Sequence, residues 1–149
     1  MTAALPKACV MGHPVAHSRS PMIHGYWLRT LGIPGAYELK DLTPEAFPDF
    51  VTHLAANGYV GGNVTVPHKT IAATAVARPT ERVESLGACN TFWWQDGALS
   101  GDTTDVEGVR LAVTRLGVEA EAWLVIGTGG SAHAVAEAAR LAGARIAVS

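Results

Sequence analysis

Residues 122–148, AWLVIGTGGSAHAVAEAARLAGARIAV, constrain the fold more tightly than any other stretch. AWLVIG reads as a strand, GTGG as a glycine turn, SAHAVAEAARLAG as a helix and RIAVS as a second strand. A strand, a glycine turn, a helix and a further strand in that order form the opening unit of a dinucleotide-binding fold. Gly127, Gly129 and Ala132 keep the G-x-G-x-x-A spacing. Gly127 allows the tight turn, and Gly129 lets the backbone approach a pyrophosphate. The helix start then offers free N–H groups and the positive end of its dipole. The plain alternative is a strand-to-helix turn that binds nothing.

Upstream, the chain continues to alternate. KACVMG, AYELKDL and GGNVTVPHK read as strands, the last running straight into a helix at Pro67. SPMIHGYWLRTLG, TPEAFPDFVTHLAANG, PTERVESLGA and DTTDVEGVRLAVTRLG read as helices. In the first of these, Ser20 is placed as the cap, Pro21 suits the first turn, and Ile23, Trp27 and Leu31 form a buried face. In the last, Val106, Val109, Val113 and Leu116 share a face, and Thr104 and Glu107 have capping-box spacing. NTFWWQDGALSG reads as a hairpin turning at Asp96-Gly97. Alternating strands and helices imply an α/β fold with a mostly parallel sheet. The texture changes near Gly101, which divides the chain into one lobe and the start of a second. A lone β-α-β unit leaves a sheet face and edge uncovered, so this segment is expected to be part of a longer protein.

Composition narrows the function classes. Of 149 residues, 48% are hydrophobic and 16% charged, which is globular rather than disordered. The net charge of −2, without a basic run, argues against nucleic acid as a partner. No apolar run is long enough to span a bilayer, and MTAALPKACVMG lacks the charged start and apolar block of a signal peptide. Cys9 and Cys89 sit in apolar surroundings and read as buried, reduced thiols, which suits the cytoplasm. His13 and His17 flank Pro14 without a second ligand pair, so no metal site is expected.

The polar residues gather in short motifs. Ser18 and Ser20 stand two apart at a helix start, where two hydroxyls and helix N–H groups can hold an anion; simple capping is the plain alternative. Asn63 and Thr65 alternate on one face of a strand and can point into one cleft. Lys69 follows in the first helical turn, where the dipole disfavours a cation, and that placement against local preference suits a lysine with a chemical task. Asp102 and Asp105 flank a later helix start, where dipole compensation would account for Asp105 equally well.

Together these strings resemble the shikimate dehydrogenase family. GHPVAHSRSP resembles its S-x-S segment, GGNVTVPHK its N-V-T-x-P-x-K segment, GACNT its x-N-T turn, GDTTDVEG its G-x-N-T-D-x-x-G helix start and VIGTGGSAHAV its cofactor loop. The five occur in family order across nearly the whole chain. The resemblance implies a shikimate-binding substrate domain over 1–103, then a linking helix and an incomplete NADP-binding Rossmann domain over 104–149. It implies that Ser18, Ser20, Asn63, Thr65, Asn90 and Thr104 bind substrate, and that Lys69 and Asp105 both bind it and form the catalytic pair. Gly127, Thr128, Gly129, Gly130 and Ser131 would line the cofactor pyrophosphate. The implied reaction is the reversible NADPH-dependent reduction of 3-dehydroshikimate to shikimate in aromatic amino-acid biosynthesis. The implied cofactor is NADP, with NAD as the alternative, and the enzyme is expected as a monomer or homodimer. Two further readings are a quinate or aminoshikimate dehydrogenase and a non-catalytic shikimate-binding fragment. The isolated chain is expected to be inactive. Thr103 replaces a usual Asn and His133 a common Arg, so a helix-start contact and phosphate binding are the points of departure.

Overall fold

A computed structural model of the chain describes residues 5–149. The reading of the N-terminus as free of a signal peptide falls partly on residues 1–4, which lie outside the described residues. The elements in order are β1 (Lys7–Gly12), α1 (Ser20–Thr30), β2 (Ala36–Asp41), α2 (Phe47–Thr52), β3 (Tyr59–Val64), α3 (Lys69–Ala75), β4 (Arg78–Pro79), α4 (Glu81–Leu86), β5 (Thr91–Gln95), β6 (Ala98–Asp102), α5 (Asp105–Leu116), β7 (Ala122–Val125), α6 (Gly130–Leu141) and β8 (Arg145–Val148).

Six strands form one sheet in the order β2-β1-β3-β5-β6-β4. β1 lies parallel to both β2 and β3, whereas β5 runs antiparallel to β3 and to β6. The β5–β6 hairpin turns where expected: Asp96 and Gly97 both take positive φ, 51° and 73°, as a two-residue turn matched to strand twist requires. β7 and β8 form a separate parallel pair with α6 as the crossover. The architecture is therefore mixed α/β with mostly parallel pairing. The two-residue β4 is too short for sequence periodicity to reveal.

One face of the large sheet carries the main core. Cys9, Met11, Val64 and Phe92 pack there against Phe47, Val51, Ala72 and Val83 from the helices and Leu54 from the turn after α2. Cys9 and Cys89 are buried and free, and desolvation pushes their thiols up to about 12 and about 11. Such thiols stay protonated and unreactive. No helix among the described residues is long and apolar enough to cross a membrane.

Several local expectations are corrected. Arg19, not Ser20, occupies the cap position of α1, and no side-chain capping bond forms. Ile23, Trp27 and Leu31 are 40%, 51% and 68% exposed rather than buried. The half-buried positions are instead Pro21, His24, Gly25 and Leu28, a regular helical stripe. The His24 ring stacks on Tyr37 of β2 at 4.0 Å, and this contact turns the polar residue inward and the apolar stripe outward. α2 is confined to Phe47–Thr52, inside the longer stretch expected, because Pro48 is tolerated only in a first turn and the flanking residues close as separate turns. α3 begins at Lys69 rather than Pro67, after a turn in which the His68 N–H donates to the Thr65 carbonyl. In α5, Leu116 is 74% exposed, so the half-buried face of Val106 and Val109 ends at Val113.

Candidate active site

Parallel pairing puts the C-terminal ends of β1, β2 and β3 side by side, so the loops that follow them meet above one edge of the sheet. Gly12 makes the first approach possible. A Cβ there would lie 2.5 Å from Thr65 Cγ2 and 3.0 Å from the Val66 carbonyl oxygen. The Thr65 N–H donates to the Met11 carbonyl at 2.8 Å, and the His13 N–H to the Val66 carbonyl at 3.0 Å. The loop is also tied to β2: His13 Nδ1 lies 2.6 Å from Asp41 Oδ1, and the Val15 N–H donates to Asp41 Oδ2 at 3.4 Å. The His13 hydrogen bond is the main cause that holds the Asp41 carboxyl below its ordinary range.

The anchored loop delivers two hydroxyls to one point. Ser18 Oγ donates to Ser20 Oγ at 3.2 Å and accepts from the Ser20 N–H at 3.3 Å. Ser18, Ser20, Asn63, Thr65 and Asn90 line a cleft of about 490 Å³, with His17 at its edge.

A second group sits beside this cleft. Lys69 Nζ donates to Asp105 Oδ2 at 2.6 Å, and the two side chains are only 12% and 21% exposed. Asn90 joins the groups: its Nδ2 donates to Asp105 Oδ1 at 2.8 Å and to Thr104 Oγ1 at 3.0 Å. The Thr104 N–H and Thr91 Oγ1 both donate to Asn90 Oδ1, at 3.2 and 2.9 Å. Thr104 therefore stands at the cap position of α5 without a side-chain capping bond. Its backbone is already αR (φ −104°, ψ 0°), its hydroxyl serves Asn90, and Glu107 pairs with Arg110 at 3.2 Å instead of closing a capping box.

The glycine loop reaches the same place. Lys69 Nζ also donates to Ser131 Oγ at 3.2 Å. A Cβ on Gly130 would lie 3.0 Å from Lys69 Cβ, so bare backbone is needed for this packing. Gly127 has φ 114°, and a Cβ at Gly127 or Gly129 would meet nothing within 4 Å. The loop thus presents open backbone at the start of the 12-residue α6, an arrangement that fits a pyrophosphate. Thr128 is exposed in the same loop, and His133 is exposed on α6.

The structure thus brings Ser18, Ser20, Asn63, Thr65, Asn90, Thr104, Lys69 and Asp105 into one region, with Gly130 and Ser131 adjoining. Thr103 is 1% exposed, and its hydroxyl makes no hydrogen bond to the site's polar residues. Two supporting residues escaped the sequence reading. Asp41 carried no signal beyond ending a strand. Asp102 was noted only for its place near a helix start, yet it ties α4 to β6, accepting from Thr80 Oγ1 at 2.7 Å, from the Thr103 N–H at 2.8 Å and from Arg82. Burial works to raise its carboxyl, but these donors together outweigh that and hold it low. Among the described residues, no group of three or more His, Cys, Asp or Glu side chains is arranged to hold a metal ion.

Comparison with known proteins places these features in context. The family described as shikimate dehydrogenase substrate binding domain matches residues 10–92. The shikimate dehydrogenase (NADP(+)) of Methylocella silvestris is 49% identical over 142 residues, covering 93% of this chain and 51% of that protein. That of Afipia carboxidovorans is 48% identical over 136 residues, covering 87% of this chain and 48% of that protein. Among solved structures, shikimate 5-dehydrogenase from Thermus thermophilus, in complex with NADP(H) and shikimate, superposes with a TM-score of 0.85 at 36% identity, covering 97% of this chain and 55% of that one. Shikimate dehydrogenase from Aquifex aeolicus superposes with a TM-score of 0.91 at 29% identity, covering 99% and 56%. The chain spans about half the length of the relatives it matches.

Proposed function

The chain belongs to the shikimate dehydrogenase family, and we propose that it forms the substrate-binding half, with the opening of the cofactor-binding half, of an NADP-dependent shikimate dehydrogenase. Residues 1–103 form the substrate domain in this reading, and 104–149 a linking helix and the first unit of the Rossmann domain. The protein works in the cytoplasm, as a monomer or homodimer, on a small-molecule substrate.

The observation that carries this reading is the 2.6 Å Lys69–Asp105 contact beside a cleft lined by paired serines and amides. Ser18 and Ser20 present adjacent hydroxyls that hold the substrate carboxylate. Asn63, Thr65, Asn90 and Thr104 supply donors and acceptors to the carboxylate and ring hydroxyls, and a site built this way rejects analogues that leave its polar groups unpaired. When bound at the glycine loop, NADP(H) supplies or accepts the hydride.

The protein's own work is on the oxygen of the reacting carbon. In the reductive direction that oxygen gains negative charge. The Lys69 ammonium is held beside the cleft by Asp105 and Ser131, so it can stabilise the charge and donate a proton to the oxygen. Asp105 fixes the lysine, and Asn90 fixes Asp105 from its other oxygen. In the oxidative direction the pair accepts the hydroxyl proton.

The test is shikimate-dependent reduction of NADP+ by the complete protein that carries this segment. Turnover on shikimate well above that on quinate supports the reading; the reverse ranking assigns a quinate dehydrogenase. Thermal protection by shikimate with no nucleotide reduction would make it a binding protein.

A further inference from the structure

Asn63 stands between two spaces. On one side it lines the substrate cleft with Ser18 and Ser20. On the other it ends an apolar groove across the sheet, bounded by His24, Tyr37 and Thr91. From that side the Tyr37 hydroxyl lies 2.7 Å from Asn63 Oδ1. The two residues are on β2 and β3, with β1 between them. Tyr37 pairs with Ala8, Ala8 with Gly61, and Val10 with Asn63. The small residues Ala8 and Gly61 let the tyrosine ring lie over β1 and reach across.

The amide's orientation follows from its other neighbours. Asn63 Nδ2 lies 3.4 Å from the Asn90 carbonyl and 3.2 Å from Thr91 Oγ1. A carbonyl only accepts, so the amide nitrogen faces Asn90 and the oxygen faces Tyr37. The Tyr37 hydroxyl must then donate. Burial raises the phenol, so it keeps its proton throughout the neutral range. Its ring is fixed by the His24 stack, with planes 4° apart. His24 lies in α1 one turn beyond Ser20, so one contact chain links the serine loop to Asn63.

We propose that Tyr37 is a positioning residue for substrate binding, which locks the Asn63 amide with its nitrogen toward the cleft. Both Nδ2 bonds are long, so a carboxylate or hydroxyl oxygen of the substrate can draw one of the two hydrogens. Without the Tyr37 hydroxyl, Asn63 Oδ1 loses the short bond that anchors it, and the amide, left with two long Nδ2 bonds, swings and presents its nitrogen to the substrate less well. This inference rests on the proposal that Asn63 touches substrate.

The test is steady-state kinetics of Tyr37→Phe, Asn63→Ala and the double variant in the complete protein. The lost orientation is expected to raise the shikimate KM by about three- to tenfold in Tyr37→Phe, the range of one hydrogen bond, with kcat within about twofold and the NADP+ KM unchanged. In the Asn63→Ala background, Tyr37→Phe adds nothing further, because its effect passes through the amide. A raised KM in Asn63→Ala with none in Tyr37→Phe overturns the positioning role. So does an equal effect of Tyr37→Phe in both backgrounds, which assigns the tyrosine a structural role. No effect of Asn63→Ala overturns the substrate contact itself, and the inference falls with it.

Discussion

Gly130 and Thr103 show how single positions report on the site. The Cβ of an alanine at 130 would press on Lys69 Cβ at 3.0 Å and on Ala88 Cβ at 3.4 Å. Gly130→Ala is therefore expected to shift the lysine or the loop by a few tenths of an ångström and to lower kcat by about two- to fivefold, well short of the roughly hundredfold cost of a full ångström. Stopped-flow and steady-state rates on the complete protein check this. Thr103 carries the opposite expectation. Its buried hydroxyl has no hydrogen-bond partner. Thr103→Val removes an unsatisfied group at constant shape, so the thermal midpoint should hold or rise rather than fall. At this scale the residues proposed to carry the chemistry were legible, because serine pairs, amides, a lysine and aspartates in short motifs stand out by type. Tyr37 was not. A tyrosine in a strand gives no sign of the side chain two strands away that it will meet.

Elements were legible where period and punctuation agreed, and less so where a tertiary contact overrode them. β1, β2, β5, β6, β7, α4 and α6 fall where their patterns place them. In α1 the apolar pattern is sound, but the His24–Tyr37 stack chooses the other face. In α5 the capping spacing is present, but Asn90 claims Thr104. The join of α4 to β6 carries a pH-dependent stability. Burial raises the Asp102 carboxyl, but donors from Arg82, Thr80 and Thr103 outweigh it and hold the group below its unfolded value, which is near 3.9 for an aspartate. A depressed carboxyl stabilises the fold above its unfolded pKa and loses that contribution as pH falls through its folded one. Asp102→Asn should thus cost about 1–2 kcal/mol near neutral pH, allowing for an exposed Arg82, and progressively less below about pH 4. Urea unfolding at several pH values measures the difference.

For the whole molecule, alternation disclosed the α/β class, but not the strand order. The hairpin β5–β6 inserts between β3 and β4, an arrangement set by long-range pairing. The β7–β8 pair leaves Leu124, Ile126 and Val148 68%, 82% and 56% exposed. The 149-residue polypeptide by itself should therefore associate with increasing concentration, and Leu124→Lys with Ile126→Lys should reduce this in sedimentation measurements. In the proposed function, one cleft binds a hydroxylated acid while Lys69 serves its reacting oxygen. The most direct measurement is the kinetics of Lys69→Ala in the complete protein. With Lys69 in the proposed role, kcat for shikimate oxidation should fall by about 10²–10⁴ while shikimate still binds. Turnover equal to the parent would contradict it.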